Sequence, residues 1–438
     1  MRNRLPFLLI SILLAFLAGR FIIRDFLAGS LIEYGEDQAS RDQAVVYAPG
    51  SPEVVAARGK YLFYRAEPPQ PEAGLVALRQ AVLLSPHDYR FWLELGKAYE
   101  NAGQSAAADR ALERAVSLAP RYFETQWTWA NYQMRAGQTD RALESFHRAL
   151  LLSEGQEGKT NGRAALNVYD VVAQALGLNL AALRQVAPED ATAQAYLAYY
   201  LATHQALDPA LEIFRKLPAE NVPAYLDLIY QLLADSQRTG RYAEAGEAWD
   251  RLRRLSGEAA PEAGNMIENG GFERAPLSDR YPQLLASSLG FDWLVQRHPE
   301  VAVRRDDDRP HGGNRSLHLH FSMRMQSPFE QVSQLARVEP GASYRLRFFV
   351  RARNLPEDAP WIEIRDAQRP EAFSLRATLP RDAAEWREVS LGFSTLPETR
   401  AISIVLRAPQ YRDLNALNKI DLWLDDFEAQ RSTADATK

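Results

Sequence analysis

Residues 103–118, GQSAAADRALERAVSL, and residues 137–152, GQTDRALESFHRALLL, are one pattern written twice. Gly103, Ala108, Leu112 and Ala115 return 34 residues later as Gly137, Ala142, Phe146 and Ala149. Small residues in this register let two antiparallel helices approach closely, and Pro120 stops the second of them. One period earlier Gly74, Leu78, Ala81 and Pro86 hold the same second-helix positions, with Tyr61 and Leu62 on the helix before, so the repeats begin near Pro52. Further on, Ala210, Phe214 and Leu217 and then Ala245, Trp249 and Leu252 fit two more second helices at an offset of 35, with Gly240 at the turn before the latter. Over 157–190 the register is interrupted by Gly155, Gly158 and Gly162, which reads as a degenerate repeat with an insertion. One helix pair cannot bury its own apolar face, so the period predicts about six stacked pairs in an all-α solenoid over 52–256.

Together with Trp92, Leu95, Gly96 and Tyr99, these positions resemble the tetratricopeptide repeat family. The resemblance implies protein binding in a concave groove lined by first helices. Arg90 and Lys97 would face that groove, with Trp127, Asn131 and Arg135 from the next repeat at i, i+4, i+8 spacing. A subset of the family grips a peptide carboxylate there with paired lysines and asparagines. Asn131 matches one such position, but Trp127 stands where a key lysine belongs, so that activity is not carried over. For Trp92, Trp127 and Trp129 an inter-helix core is the favoured reading.

Ahead of the repeats, Leu5 to Ile23 carries a single charge, Arg20, and a helix of that length covers roughly 28 Å. Arg2 and Arg4 precede it. The positive-inside rule then predicts a membrane anchor over 1–30, its transmembrane helix at about 5–23, and a linker over 31–51. In that reading the protein is single-pass in the inner (cytoplasmic) membrane, with its amino terminus in the cytoplasm and its bulk periplasmic. A cleaved signal peptide is the rival reading, although cutting after Ala18 or Gly19 puts Phe16 or Leu17 where a small residue belongs.

Around 257–264, SGEAAPEAG (256–264) breaks the helical period and reads as a linker. Beyond it the period becomes two. Tyr344, Leu346, Phe348, Val350 and Ala352 alternate with Arg345, Arg347, Phe349, Arg351 and Arg353; Leu317, Leu319 and Phe321 alternate with His318 and His320. Val389, Leu391 and Phe393, Ile402, Ile404 and Leu406, and Ile420, Leu422 and Leu424 continue the series, which predicts an all-β antiparallel sandwich over 265–430 and a disordered tail over 431–438.

The landmarks NGGFE (269–273), FDW (291–293), SLHLHF (316–321), EWREVSLGF (385–393) and LWLDDFEA (422–429) resemble the jelly-roll carbohydrate-binding modules found beside xylanases and glucanases. Carried over by position, that resemblance implies one structural calcium held by Glu273 and Asp426, with Asp425 beside them, because a hard cation takes carboxylate and carbonyl oxygens. The alternative is a set of strand-end carboxylates capping turns. The polar strand faces supply a candidate acidic-glycan surface from Arg345, Arg347, Arg351 and Arg353, with Trp361 and Arg365 on the following strand. Cross-strand ion pairs with Glu363, Glu385 and Glu388 are the competing use of those arginines. His318 and His320 share one strand face, but the sequence supplies no third metal ligand beside them.

The 438 residues leave room for roughly three packing units. A net charge of −5 disfavours nucleic acid as a partner, and the absence of cysteine removes disulfides, thiolate nucleophiles and cysteine zinc sites. No phosphate loop, serine elbow, HExxH helix or cofactor fingerprint is present. These features predict a non-enzymatic envelope scaffold that binds a protein partner through the repeats and polysaccharide through the sandwich, in exopolysaccharide or cell-envelope polysaccharide assembly or export. Its alternatives are an accessory protein that targets a hydrolase to a glycan, and a sandwich that serves only as a protein contact.

Overall fold

The computed structural model describes residues 5–153, 160–218, 225–322, 325–381, 383–411 and 420–432, with the side chains of 5–9 left out. Gly155 and Gly158, and the predicted tail from residue 433, lie outside the described residues. The chain divides into two compact units, Met1–Ala193 and Gln194–Lys438.

The first unit is helical. α1 (Leu5–Tyr34) and α2 (Gln38–Tyr47) precede α3 (Pro52–Tyr64) and α4 (Pro71–Leu84), α5 (Tyr89–Asn101) and α6 (Ser105–Leu118), α7 (Phe123–Arg135) and α8 (Thr139–Leu152), then α9 (Gly162–Leu176) and α10 (Leu180–Val186). The repeated small residues do what the period predicts: Ala108, Leu112, Ala115, Ala142, Phe146 and Ala149 are all fully buried. A Cβ on Gly96 would stand 2.5 Å from the Leu112 side chain, so this pair closes only with glycine there.

The turn between paired helices is itself repeated. Gly103 (φ 70°) ends α5 with its N–H on the Glu100 carbonyl, while the Gln104 N–H reaches the Tyr99 carbonyl. These two bonds satisfy carbonyls the helix end leaves open. Gly137 closes α7 in the same way, through Met134 and Gln133.

Two expectations at the amino terminus are corrected. Among the described residues no helix is long and apolar enough to cross a membrane. Arg20, Arg24, Asp25 and Glu33 divide α1, so every 18-residue stretch of it from Ile10 onward holds at least three charges. Its last turns instead pack on protein, with Ala28 against Ala44, Ala48 and Val54. The transmembrane helix, the membrane anchor and the single-pass inner-membrane placement with a periplasmic bulk therefore do not stand. Residues 31–51, read as a linker, carry α2, whose first turn is capped by Asp37 accepting the Ser40 N–H at 2.8 Å.

The second unit joins helices to the sandwich. α11 (Ala191–Thr203) leads into it, followed by α12 (Leu207–Lys216), α13 (Tyr225–Arg238) and α14 (Tyr242–Leu255). The turn motif recurs at Gly240, with N–H bonds from Gly240 to Gln237 and from Arg241 to Ser236. It recurs after α11 too, but there Gln205 occupies the left-handed position (φ 63°), which removes the glycine that marks the other turns.

Ten strands follow. β1 (Leu294–Val295), β4 (Phe329–Arg337), β9 (Ala401–Ala408), β6 (Trp361–Asp366) and β7 (Ser374–Thr378) form one antiparallel sheet in that order. β2 (Val301–Asp306), β3 (Ser316–Phe321), β10 (Ile420–Arg431), β5 (Ser343–Arg353) and β8 (Arg387–Ser394) form the other. The alternating apolar residues read from the sequence point inward: Leu319, Leu346, Phe348, Ile404 and Leu422 are fully buried, around Trp293, Phe272 and Phe427.

No helix or strand occupies 257–264, yet the parts on either side of it touch. Trp249 on α14 is 1% exposed and its indole N–H donates to Glu268 Oε1 at 2.7 Å, ahead of the first strand. Arg337 on β4 lies 3.5 Å from Asp250 and over the Phe291 ring, which meets Trp249 edge-on. Burial drives the Glu268 carboxyl up to about 7, against the hydrogen bond from Trp249.

Candidate functional site

The repeats place Lys97, Trp127, Asn131 and Arg135 along one open groove of about 800 Å³, whose wall also includes Tyr64, Glu100 and Glu124. Arg90 lines a neighbouring hollow of about 690 Å³, and the two share Tyr64, Glu94 and Glu124. The cations are not bare. Arg135 makes a two-pronged pair with Glu100 at 2.7 and 2.9 Å, Lys97 stands 3.4 Å from Glu94, and Arg90 chelates Asp88. Asn131 donates back to the Trp127 carbonyl at 2.8 Å, and Trp127 packs edge-on against Phe146, so it serves core and groove together. The glutamates are what the sequence reading missed. Glu100 and Arg135 lie one period plus one residue apart, and that spacing is the signal that would have paired them.

In the sandwich the predicted arginine surface is split. β5 and β6 belong to different sheets, because the chain crosses the sandwich between them instead of turning back in a hairpin. Trp361 and Arg365 therefore do not share a face with Arg345, Arg347, Arg351 and Arg353. Trp361 is covered by Arg376 at 4.1 Å, and Arg365 stands 4.0 Å from Glu363.

On the β5 sheet the four arginines divide again. Arg351 is 4% exposed: its guanidinium lies 4.4 Å over Trp423, donates to the Asp308 carbonyl at 2.7 Å, and is pulled below its ordinary pKa by burial. Arg353 approaches the same indole at 5.5 Å. Toward the other end of β5, Arg345 and Arg347 join Arg431, Glu388 and Glu428 around a solvent-open depression of about 460 Å³. Arg347 pairs with Glu428 and Arg431 with Glu339, while Arg345 has no ion-pair partner among the described residues.

The three calcium candidates do converge. A register shift in β10 between Asp425 and Glu428, with Asp426 in the left-handed region (φ 47°), re-aims both aspartates toward the NGGFE segment. Around the Cβ that Gly271 lacks, Asp426 Oδ1 would stand at 3.2 Å, Asp425 Oδ1 at 3.8 Å and Glu273 Cγ at 3.8 Å. Asp425 and Asp426 aim an oxygen at that space while Glu273 turns its Cγ to it, and carboxylate oxygens are the donor type a hard cation such as calcium takes.

Loop 311–315 supplies the present partners of these carboxylates. Asn314 and Arg315 donate backbone N–H groups to Glu273, His311 and Gly312 to Asp425, and His311 Nδ1 lies 2.6 Å from Asp426. Asp425 is fully buried, and burial together with the adjacent Asp426 raises its carboxyl to about 7. The loop was missed by sequence reading; its mark is the Gly312-Gly313 pair, where a side chain would run into Asp426 and Glu273.

No protein-family model and no curated protein matches the chain. Among solved structures, MamA overlaps 34% of this chain and 84% of its own at 18% identity and a TM-score of 0.27. PilF of Pseudomonas aeruginosa overlaps 48% and 93% at 16% identity and a TM-score of 0.25. A family 16 carbohydrate-binding module overlaps 38% and 99% at 13% identity and a TM-score of 0.26.

Proposed function

We propose that the chain is a non-enzymatic adaptor that holds a protein ligand in the groove of its paired helices and an acidic polysaccharide on the β5 sheet of its sandwich, in polysaccharide assembly or export. The observation that carries the glycan half is Arg345, an arginine without a carboxylate partner among the described residues, at a depression shared with two more guanidinium groups. A guanidinium meets a uronate carboxylate through two parallel N–H bonds, a geometry that sugar hydroxyls do not match. For the protein half, Trp127 offers an aromatic floor between lips that carry both signs of charge, which suits a peptide with charges of both signs.

The full chain on a glycan array tests the reading: retention on uronate-containing glycans supports it, and silence on every acidic and neutral glycan removes the glycan half. We propose further that one calcium ion sits among Glu273, Asp425 and Asp426 and fastens β10 to the NGGFE segment. At a concentration 100 times its Kd, calcium should then raise unfolding stability by about 2.7 kcal/mol, and D425N should abolish that gain. An equal gain in D425N would place the ion elsewhere.

A further inference from the structure

His318 and His320 leave β3 on the same face, and the strand paired with β3 supplies the ligand that the sequence alone did not show. Asp421 on β10 stands directly opposite His320 and diagonal to His318. Its Oδ1 lies 2.7 Å from His320 Nδ1 and 2.9 Å from His318 Nε2. Among the described residues these three form the one group of histidine and acidic side chains whose ligand atoms all fall within 4.8 Å of one another.

We propose that His318, His320 and Asp421 form a binding site for a divalent transition-metal ion of the zinc class, distinct from the calcium position. Two imidazoles and one carboxylate are the donor set such an ion takes, and a site with three protein ligands keeps a coordination position for solvent. Calcium, which takes oxygen ligands, is not suited to it.

The surroundings hold the first ligand in place. The His318 ring stacks on Trp423 at 4.4 Å with the planes 5° apart. Behind it Asp306 Oδ2 lies 3.6 Å from His318 Nδ1 and is anchored by the Trp423 indole N–H at 2.9 Å. A carboxylate behind a ligating histidine fixes its tautomer and raises its basicity. Arg304 Nε donates to His318 Nδ1 at 3.2 Å. With metal on Nε2 the neutral imidazole carries its proton on Nδ1 and donates that N–H to the Asp306 carboxylate, while the Arg304 side chain, 67% exposed, turns to solvent. His320 is the outer ligand, partly exposed, and leaves the open coordination position facing water.

The test is calorimetric titration of the chelator-stripped full chain with Zn²⁺ alone, followed by Co²⁺ read through its visible absorption. One ion per chain is expected, with His320→Ala weakening Zn²⁺ binding at least about tenfold and excess Ca²⁺ leaving it unchanged. Because His318 is buried against Trp423, its alanine variant can lose fold; His320→Ala, checked by circular dichroism, carries the decision. A folded wild-type chain that takes up no Zn²⁺, or a His320→Ala variant that binds it as tightly as wild type, overturns the site. Neither result depends on whether glycan binds.

Discussion

In the paired helices of the first unit charge stays at the surface: Arg135 and Glu100 meet across the groove with the arginine side chain 58% exposed. In the second unit acidic side chains go inside, with Glu268 at 4%, Asp292 at 2% and Asp425 at 0% exposure. The repeats hold together through small and apolar residues at a fixed period, so their charged surface is left for binding. The sandwich and its adjoining hairpin instead enclose carboxylates, each needing a specific donor: Trp249 for Glu268, Arg274 for Asp292, loop amides for Asp425. Substitutions of similar appearance should therefore act very differently in the two regions.

The largest effect is expected from Trp249→Ala, which empties the space against Phe291 and strips Glu268 of its donor. It should cost about 3–5 kcal/mol in urea unfolding. A loss below about 1 kcal/mol would mean that α14 and the sandwich do not fold as one body.

Next is pH. Glu268 binds its proton more tightly folded, near 7, than its ordinary 4.5. Its contribution is therefore complete below pH 4.5 and is lost as pH rises to about 7, roughly 3 kcal/mol in all. E268Q should flatten that part of the stability profile; an unchanged slope would assign it to other groups.

Smaller effects test the turn motif. Gly103→Ala forces a Cβ into the left-handed region and should cost about 1 kcal/mol, whereas Gln205→Gly should gain a similar amount, both read as Tm shifts of opposite sign. Shifts of the same sign would break the equivalence of the two turns. Smallest is Arg135→Ala, expected within about 1 kcal/mol of wild type because its ion pair is exposed.

Legibility followed the same division. Helix pairing was readable because Ala108, Leu112 and Ala115 meet a neighbour close in sequence, and the sandwich because Leu346 and Phe348 alternate on one strand. The sheet to which each strand belongs was not: β5 and β6 are sequence neighbours, and only long-range pairing shows that Trp361 faces away from Arg345. The third ligand beside His318 and His320 lies about a hundred residues away, on β10, and local spacing carries no trace of it. The apolar run at the amino terminus misled because Arg24, Asp25 and Glu33 lie past Ile23, outside the stretch that looked membrane-like but within the same helix. Calcium candidates were reachable by resemblance, while the Gly312-Gly313 loop against them was not, since a glycine pair reads locally as any turn.

The most direct test sets the two surfaces side by side: calorimetric titration of the full chain, R345A/R347A and K97A/R135A with a short oligogalacturonate. Wild type and K97A/R135A should bind alike, while R345A/R347A should bind at least about tenfold more weakly, a difference of 1.4 kcal/mol. Equal affinity in all three, or no binding by the wild-type chain, would contradict the assignment of the acidic glycan to the β5 sheet.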